Sequence, residues 1–259
     1  MDDPLIRLSF GNVAETYHRV RPPYWQPLLD RAQELLALGA DANVLDLAAG
    51  TGRLTRELAQ RFAHVVAVEP NDAMRAAAER SLGSRPRFSI VRGTAEATGL
   101  ADASADFATA AQAFHWFDPT ATRAELLRVT RPPHPVALLW NRRSLDATPF
   151  LRAYDELLVR VSDDYLKVRH ENVGPAVLAA FYGEGGYERR VFPSAQVFDE
   201  DGFLGRALSS SYVPAPGHPR HDETVRGLRE IFTQHQNRGT VALLYETEVY
   251  TGHLASTHA

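Results

Sequence analysis

The feature that most constrains this chain is an alternation of element type along its first half. Short apolar runs that read as buried strands fall at 43–47, 65–68, 88–91, 105–111 and 136–140. Between them, and ahead of the first, stretches with helical apolar spacing fall at 27–38, 54–62, 72–82 and 120–131. Strands alternating with helices predict βαβ units and a parallel sheet covered on both faces, with right-handed crossovers. The second half reads differently. Segments 150–162 and 224–236 are amphipathic helix candidates, and 189–198 and 240–250 are strand-like, the latter alternating through Val241, Leu243, Tyr245, Thr247 and Val249. They predict an antiparallel pair closing one sheet edge, with the intervening helices as a cap. Segment 212–221, rich in proline and glycine, predicts an exposed loop.

Composition removes several classes of function. The chain of 259 residues has no cysteine, which excludes disulfides, thiolate zinc sites and a cysteine nucleophile. A net charge of -4 gives no global attraction to nucleic acid or anionic membranes, and neither partner is expected. No apolar run approaches a membrane span, and the N-terminus lacks the basic and apolar segments of a secretory signal, so a cytoplasmic protein is expected. His218 and His221 form an H-x-x-H without further ligands nearby, so no metal is expected.

The stretch VLDLAAGTG, 44–52, carries the chemistry. It is a strand that ends in small residues, which let backbone approach a ligand at the carboxyl edge of the sheet. A dinucleotide would call for G-x-G-x-x-G. Aligned on Gly50, the outer places are Ala48 and Arg53, so two of three glycines are missing. Asp46 at the strand end would also repel pyrophosphate and favour a ligand bearing positive charge. S-adenosylmethionine, with a sulfonium, an ammonium and no phosphate, meets both conditions.

VLDLAAGTG resembles the first motif of class I S-adenosylmethionine-dependent methyltransferases, with Ala48 where the family usually has glycine and with Gly50 and Gly52 retained. Alanine fits at 48 provided that residue does not need a positive φ. VVAVEP, 65–70, then places Glu69 and Pro70 after the second strand, Glu69 lying 23 residues beyond Asp46, as the family's ribose-binding acid does. RGTAEATGL, 92–100, resembles the adenine-contacting segment, which implies an amide contact from Ala95 and polar contacts from Thr94 or Glu96. AQAFHWFD, 111–118, follows the fourth strand.

The resemblance extends to a small-molecule subgroup related to yeast trans-aconitate methyltransferase-like proteins, through FGNVAETYHRVRPPYW at 10–25, GRALSSSYVPAPGHP at 205–219 and FTQHQNRGTVALLYETEVYTGHL at 232–254. It implies a Rossmann-like α/β fold: a seven-stranded, mostly parallel sheet with one antiparallel edge strand, flanked by helices and helically capped. The whole chain then reads as one methyltransferase domain, with an N-terminal helical segment at 1–38, a cofactor core at 39–145, and cap helices and closing strands at 146–259. One departure is RPPHP, 131–135, where the family has proline followed by two glycines.

Methyl transfer is an in-line displacement whose positive charge disperses, so a dry pocket that aligns nucleophile and methyl about 3 Å apart favours it. Gln112, His115 and Trp116 are the candidate catalytic residues, and Gln112 also a cofactor contact. Phe114, His115, Trp116, Arg142 and Arg143 are the candidate acceptor contacts, with Phe114 reading equally as packing against the next helix and the arginines also as solvated surface cations. Aromatic faces attract sulfonium, His115 reads as a general base or as a structural histidine, and the arginines suit a carboxylate acceptor, which needs no base. Tyr17 and Arg21 are expected to close over the cofactor, Arg21 on its carboxylate. A protein that binds the cofactor without transferring methyl, and a nucleotide-cofactor oxidoreductase, are the alternative readings.

Overall fold

The computed structural model describes residues 38–83, 87–166, 173–210 and 212–255, with Asp30 and Glu34 ahead of them. Most of the expected helix at 27–38, and Tyr17 and Arg21, lie outside the described residues. The described residues divide into two compact units, each assembled from separate segments: those up to 140, within 173–192 and within 248–255 in one, those within 141–166 and 193–247 in the other.

In the first unit the order is β1 (Asn43–Leu47), α1 (Arg53–Leu58), β2 (His64–Val68), α2 (Asp72–Leu82), β3 (Phe88–Val91), β4 (Phe107–Ala111), a 3-10 turn (Phe114–Trp116), α3 (Pro119–Val129) and β5 (Pro135–Arg143), whose last three residues belong to the other unit. β1 pairs in parallel with both β2 and β4, placing Asp46 opposite Ala67 and Thr109. β2 pairs in parallel with β3, and β4 with β5. The full sheet has seven strands in the order β3-β2-β1-β4-β5-β7-β6, where β6 is Tyr187–Phe198 and β7 is Val241–His253, an antiparallel edge pair. It is the mostly parallel, seven-stranded sheet that the sequence predicts.

Burial on both faces explains why β1 is a nearly continuous apolar run. Val44 enters a cluster with Leu54, Leu58, Phe62, Val65 and Phe107, while Leu45 and Leu47 enter another with Val68, Phe114, Leu138, Trp140 and Phe181. Each such buried side chain contributes about 1.5–3 kcal/mol relative to exposure. Asp46 shares the Val44 face, which turns its carboxyl toward α1. In β7 the stretch from Thr247 to Thr251 is buried residue after residue, because this part of the strand lies inside the sheet and not at its margin. The buried Glu248 there accepts from Arg189 of β6 at 2.6 Å and from the Tyr250 hydroxyl at 3.0 Å.

The second unit is built on α4 (Pro149–Val161), α6 (Glu200–Leu208) and α7 (His221–His235). α4 buries Phe150, Leu151, Tyr154, Leu157, Leu158 and Val161, a stripe at helical spacing. It packs on Leu228, Ile231 and Phe232 of α7 and Phe203 of α6. The approach of α4 and α7 is set by Gly227, where a Cβ would lie 2.7 Å from Leu157 Cδ1. Two helices have no counterpart in the sequence reading. α5 (Pro175–Tyr182) is apolar nearly throughout and so lacks a polar phase, and α6 carries Gly202 and Gly205, which depress helix propensity. Segment 212–221 is only partly the exposed loop predicted, since Val213 and Pro214 are buried and His221 begins α7. No helix among the described residues is long and apolar enough to cross a membrane.

Candidate functional site

The strand order reverses between β1 and β4, and in an open α/β sheet the ligand crevice lies at that switch, beyond the carboxyl ends of the strands. Both strands end there in unusual backbone. Ala48, one residue past β1, has φ of +50°, and Gln112, one residue past β4, has φ of +58°. Non-glycine residues adopt this region at a cost of about 1–2 kcal/mol and cluster at functional sites. Ala48 thus departs from the sequence expectation: alanine occupies a position that does need positive φ, because the chain must turn there to close Ala49 N–H on Val68 O at 3.1 Å. Replacing Ala48→Gly should therefore raise the melting temperature by about 2–4 °C, near 1 kcal/mol for a chain of this size, as read by a calorimetric melt.

Gly50 and Gly52 continue the turn at φ of +58° and +73°. A Cβ at Gly50 would meet nothing within 4 Å, whereas one at Gly52 would lie 2.7 Å from Leu82 Cδ1 of α2. Gly50 therefore leaves open space on the loop surface, and Gly52 lets the loop press against a helix.

The two acids are held differently. Glu69, 6% exposed, accepts Gly50 N–H at Oε2 and Asn71 N–H at Oε1, both at 2.8 Å. Those two bonds lock the carboxylate plane against the glycine loop and leave each oxygen a second lone pair. Burial pushes its pKa upward, opposed by the same two amides. Asp46, 1% exposed, accepts from the Thr55 hydroxyl of α1 at 2.6 Å. Burial raises its pKa to about 7, so the carboxyl is partly protonated at neutral pH. Pro70 follows Glu69, and Arg75 of α2 donates to the carbonyls of Glu69 and Pro70 at 3.0 and 3.2 Å, which fixes the strand exit.

The loop after β3 is clamped from α3. Glu125 accepts the amide and hydroxyl of Thr98 and is gripped by Arg128 through Nε and Nη2 at 2.9 and 2.8 Å. That grip holds the Glu125 pKa down at about 2. Arg128 also donates to Leu100 O at 2.8 Å and pairs with Asp102 at 2.6 Å. Thr94 and Ala97 exchange backbone bonds in a tight turn around the buried Ala95. No hydrogen bond of the Ala95 amide is found among the described residues. Glu96 accepts the Asp118 amide at 3.0 Å, and Asp118 caps α3 by accepting from Thr120 and Ala121. Glu96 thus ties this loop to the segment after β4. Glu125 and Arg128 are supports that the sequence reading missed; their i, i+3 spacing on one helix face was the available signal.

After β4, the Gln112 amide donates to Leu139 O at 2.8 Å, while its buried Nε2 has no hydrogen-bond partner among the described residues. A buried orphaned donor on strained backbone points to a polar ligand atom. Trp116 is 40% exposed, and its ring lies 4.8 Å from that of His115. Phe114 corrects the sequence expectation. Its ring packs edge-on to Phe181, Phe117 and Trp140 at 4.7, 5.9 and 6.1 Å, so it is a core residue and not an acceptor contact. The departure at RPPHP is a turn closed by His134 N–H on Arg131 O at 2.8 Å, with a cis Pro132–Pro133 bond. His134 takes the positive φ, and its Nδ1 lies 3.0 Å from Thr130 Oγ1.

Arg142 and Arg143 lie within the end of β5 and not beyond it, so they point to opposite faces. Arg142 is exposed, whereas the Arg143 guanidinium lies 4.6 Å over the Tyr154 ring. Both belong to the second unit, whereas the residues from Asp46 to Trp116 belong to the first.

The residues fit an adenosyl sulfonium better than a pyrophosphate: two acids stand by a glycine loop whose open face is lined by backbone. This fold and this loop resemble those of class I S-adenosylmethionine-dependent methyltransferases. Residues 45–133 match the family described as a methyltransferase domain, for which S-adenosylmethionine is the implied methyl donor. An uncharacterised methyltransferase of Mycobacterium tuberculosis is 38% identical over 158 residues, 61% of this chain and 62% of the relative; the chain thus matches less than two thirds of its length. An uncharacterised methyltransferase of Schizosaccharomyces pombe is 27% identical over 80% of this chain and 79% of its own. Among solved structures, one described as a type II methyltransferase from Anaeromyxobacter dehalogenans superposes with a TM-score of 0.68 at 27% identity, covering 90% of this chain and 98% of that one.

Proposed function

We propose that this chain transfers the methyl group of S-adenosylmethionine to a small-molecule acceptor, at a carboxylate or hydroxyl oxygen. The observation that carries this reading is the Glu69 carboxylate, pinned by the Gly50 and Asn71 amides at the edge of the strand-order switch. Its remaining lone pairs suit the two ribose hydroxyls. When bound, the cofactor supplies an electrophilic methyl on a sulfonium. Asp46, Ala48, Gly50, Gly52, Glu69 and Pro70 would hold its amino acid and ribose parts, and Thr94, Ala95 and Glu96 its adenine. Gln112 would donate its orphaned Nε2–H into the same crevice.

His115 and Trp116, on the 3-10 turn that follows, would border the acceptor. A hydroxyl acceptor needs a base, and His115 would take that proton; a carboxylate needs none. The test is a titration of S-adenosylmethionine followed by an acceptor screen with methyl-labelled cofactor. Saturable binding below about 1 mM, typical of enzyme ligands, with label moving to an oxygen of an acid or alcohol is the expected result. Binding without transfer to any acceptor leaves a cofactor-binding protein that is not an enzyme, and no binding at millimolar ligand rejects the reading.

A further inference from the structure

The second unit contains two arginines with buried guanidinium atoms and, among the described residues, no ion pair to an acid. The Arg143 guanidinium stacks over Tyr154 and donates through Nη2 to the Tyr212 hydroxyl at 3.3 Å, while its Nε and Nη1 are buried with no hydrogen-bond partner among the described residues. Arg206 of α6, 2% exposed, donates to Ser210 Oγ and to the Tyr245 hydroxyl, each at 3.3 Å, and its Nε is likewise buried and unpartnered. Tyr154, fully buried beneath the Arg143 guanidinium, has a hydroxyl that also lacks a hydrogen-bond partner among the described residues. Tyr154 feels both guanidiniums, and Tyr245 bonds one and feels the other. The neighbouring acid, Asp155, accepts from the Tyr165 hydroxyl, and no ion pair joins it to either arginine among the described residues. The Tyr154 ring packs on Phe150 and Phe203 within the apolar cluster of this unit.

Buried guanidiniums retain their charge, and leaving one unpaired in a dry site is costly. Tyrosine hydroxyls are weak acceptors that cannot neutralise them. Four buried donors of this unit lack partners among the described residues: Arg143 Nε and Nη1, Arg206 Nε and the Tyr154 hydroxyl. An oxyanion supplies acceptors for them all, and arginine forks match planar carboxylates and phosphates.

We propose that Arg143, Arg206 and Tyr154 form a binding site for the oxyanion, carboxylate or phosphate, of a small organic molecule. The binding claim stands on the second unit alone; only the assignment of that molecule as methyl acceptor rests on the reading above. The experiment is calorimetric titration of the full chain with succinate, with inorganic phosphate and with uncharged succinamide. Saturation by succinate or phosphate at low millimolar concentration, with succinamide silent, is expected; whichever anion binds names the group. Arg143→Met and Arg206→Met should each weaken it at least about tenfold, the loss of a charge-assisted bond. Tyr154→Phe removes one buried hydroxyl and keeps the ring, so it folds even where an arginine variant does not; it should weaken binding about fivefold. The proposal is overturned by saturation with neither anion, by equal binding of succinamide, or by Tyr154→Phe and the folded arginine variants binding as the parent does. Titration of S-adenosylmethionine into the unmodified chain reports separately on the transfer reading.

Discussion

Glu69→Ala is expected to weaken S-adenosylmethionine binding by about 100-fold or more. Two hydroxyl hydrogen bonds to a charged acceptor, at about 1.5 kcal/mol each, sum to about 3 kcal/mol, which is two orders of magnitude in Kd. The loss has a second source. The carboxylate also holds the Gly50 and Asn71 amides, so its removal frees the glycine loop from the β2 exit and leaves two donors to find water. Glu69→Gln is informative because an amide has one oxygen. It can accept from one backbone N–H, but its NH2 then faces the other, so the loop is disturbed nearly as much as in the alanine variant. Isothermal titration at neutral pH measures the effect, with circular dichroism to verify that each variant is folded. A Kd within about threefold of the parent for Glu69→Ala would remove Glu69 from the cofactor site.

The place of Glu69 at the exit of the second strand was legible in the sequence, because an acid there directly follows an apolar run of strand length; its role in the site is proposed. The sheet was legible for the same kind of reason: β1, α2 and β3 coincide with the predicted segments residue for residue, and in β1 burial on both faces writes a nearly uninterrupted apolar run. What could not be read is what depends on φ or on side-chain direction. Nothing in AAGTG announces that Ala48 turns left-handed, and nothing in AFHWFD says that Phe114 faces inward while Trp116 faces out. A strand two or three residues longer than its apolar run carries Arg142 and Arg143 with it, and alternation then sends one to solvent and one into the tyrosine cluster. Glu125 was hidden in a plain helical pattern, where a charged residue ordinarily marks the solvated face, and Arg206 in a helix whose two glycines mask it. Their burial follows from tertiary packing alone.

Asp46→Asn is expected to stabilise the protein at neutral pH and to remove much of its pH dependence. The Asp46 carboxyl titrates near 7 in the folded chain, against 3.8 for an unperturbed carboxyl, because burial disfavours its charged form more than the Thr55 hydroxyl favours it. Between those two values the folded state holds a proton that the unfolded state has released. Stability therefore falls as pH rises through that window, and levels off above it. A separation of about three pH units corresponds to about 4 kcal/mol, large against a total stability of about 5–15 kcal/mol. Glu69 is also raised and acts with the same sign, and its charge is one of the causes that lift Asp46, so the difference between the two proteins includes relief of that repulsion. Asparagine keeps an oxygen to accept from Thr55, carries no charge, and should match the parent near pH 4 while exceeding it by a few kcal/mol near pH 8. Denaturant melts of both proteins across that range measure the difference; parallel curves would show that Asp46 does not titrate as its burial requires. The retention of so costly a carboxyl has a functional counterpart. An ionised Asp46 beneath the loop attracts a cationic ligand, so the more stable asparagine variant should bind S-adenosylmethionine about tenfold more weakly at pH 8, where the parent is charged, and nearly equally at pH 5, where it is not.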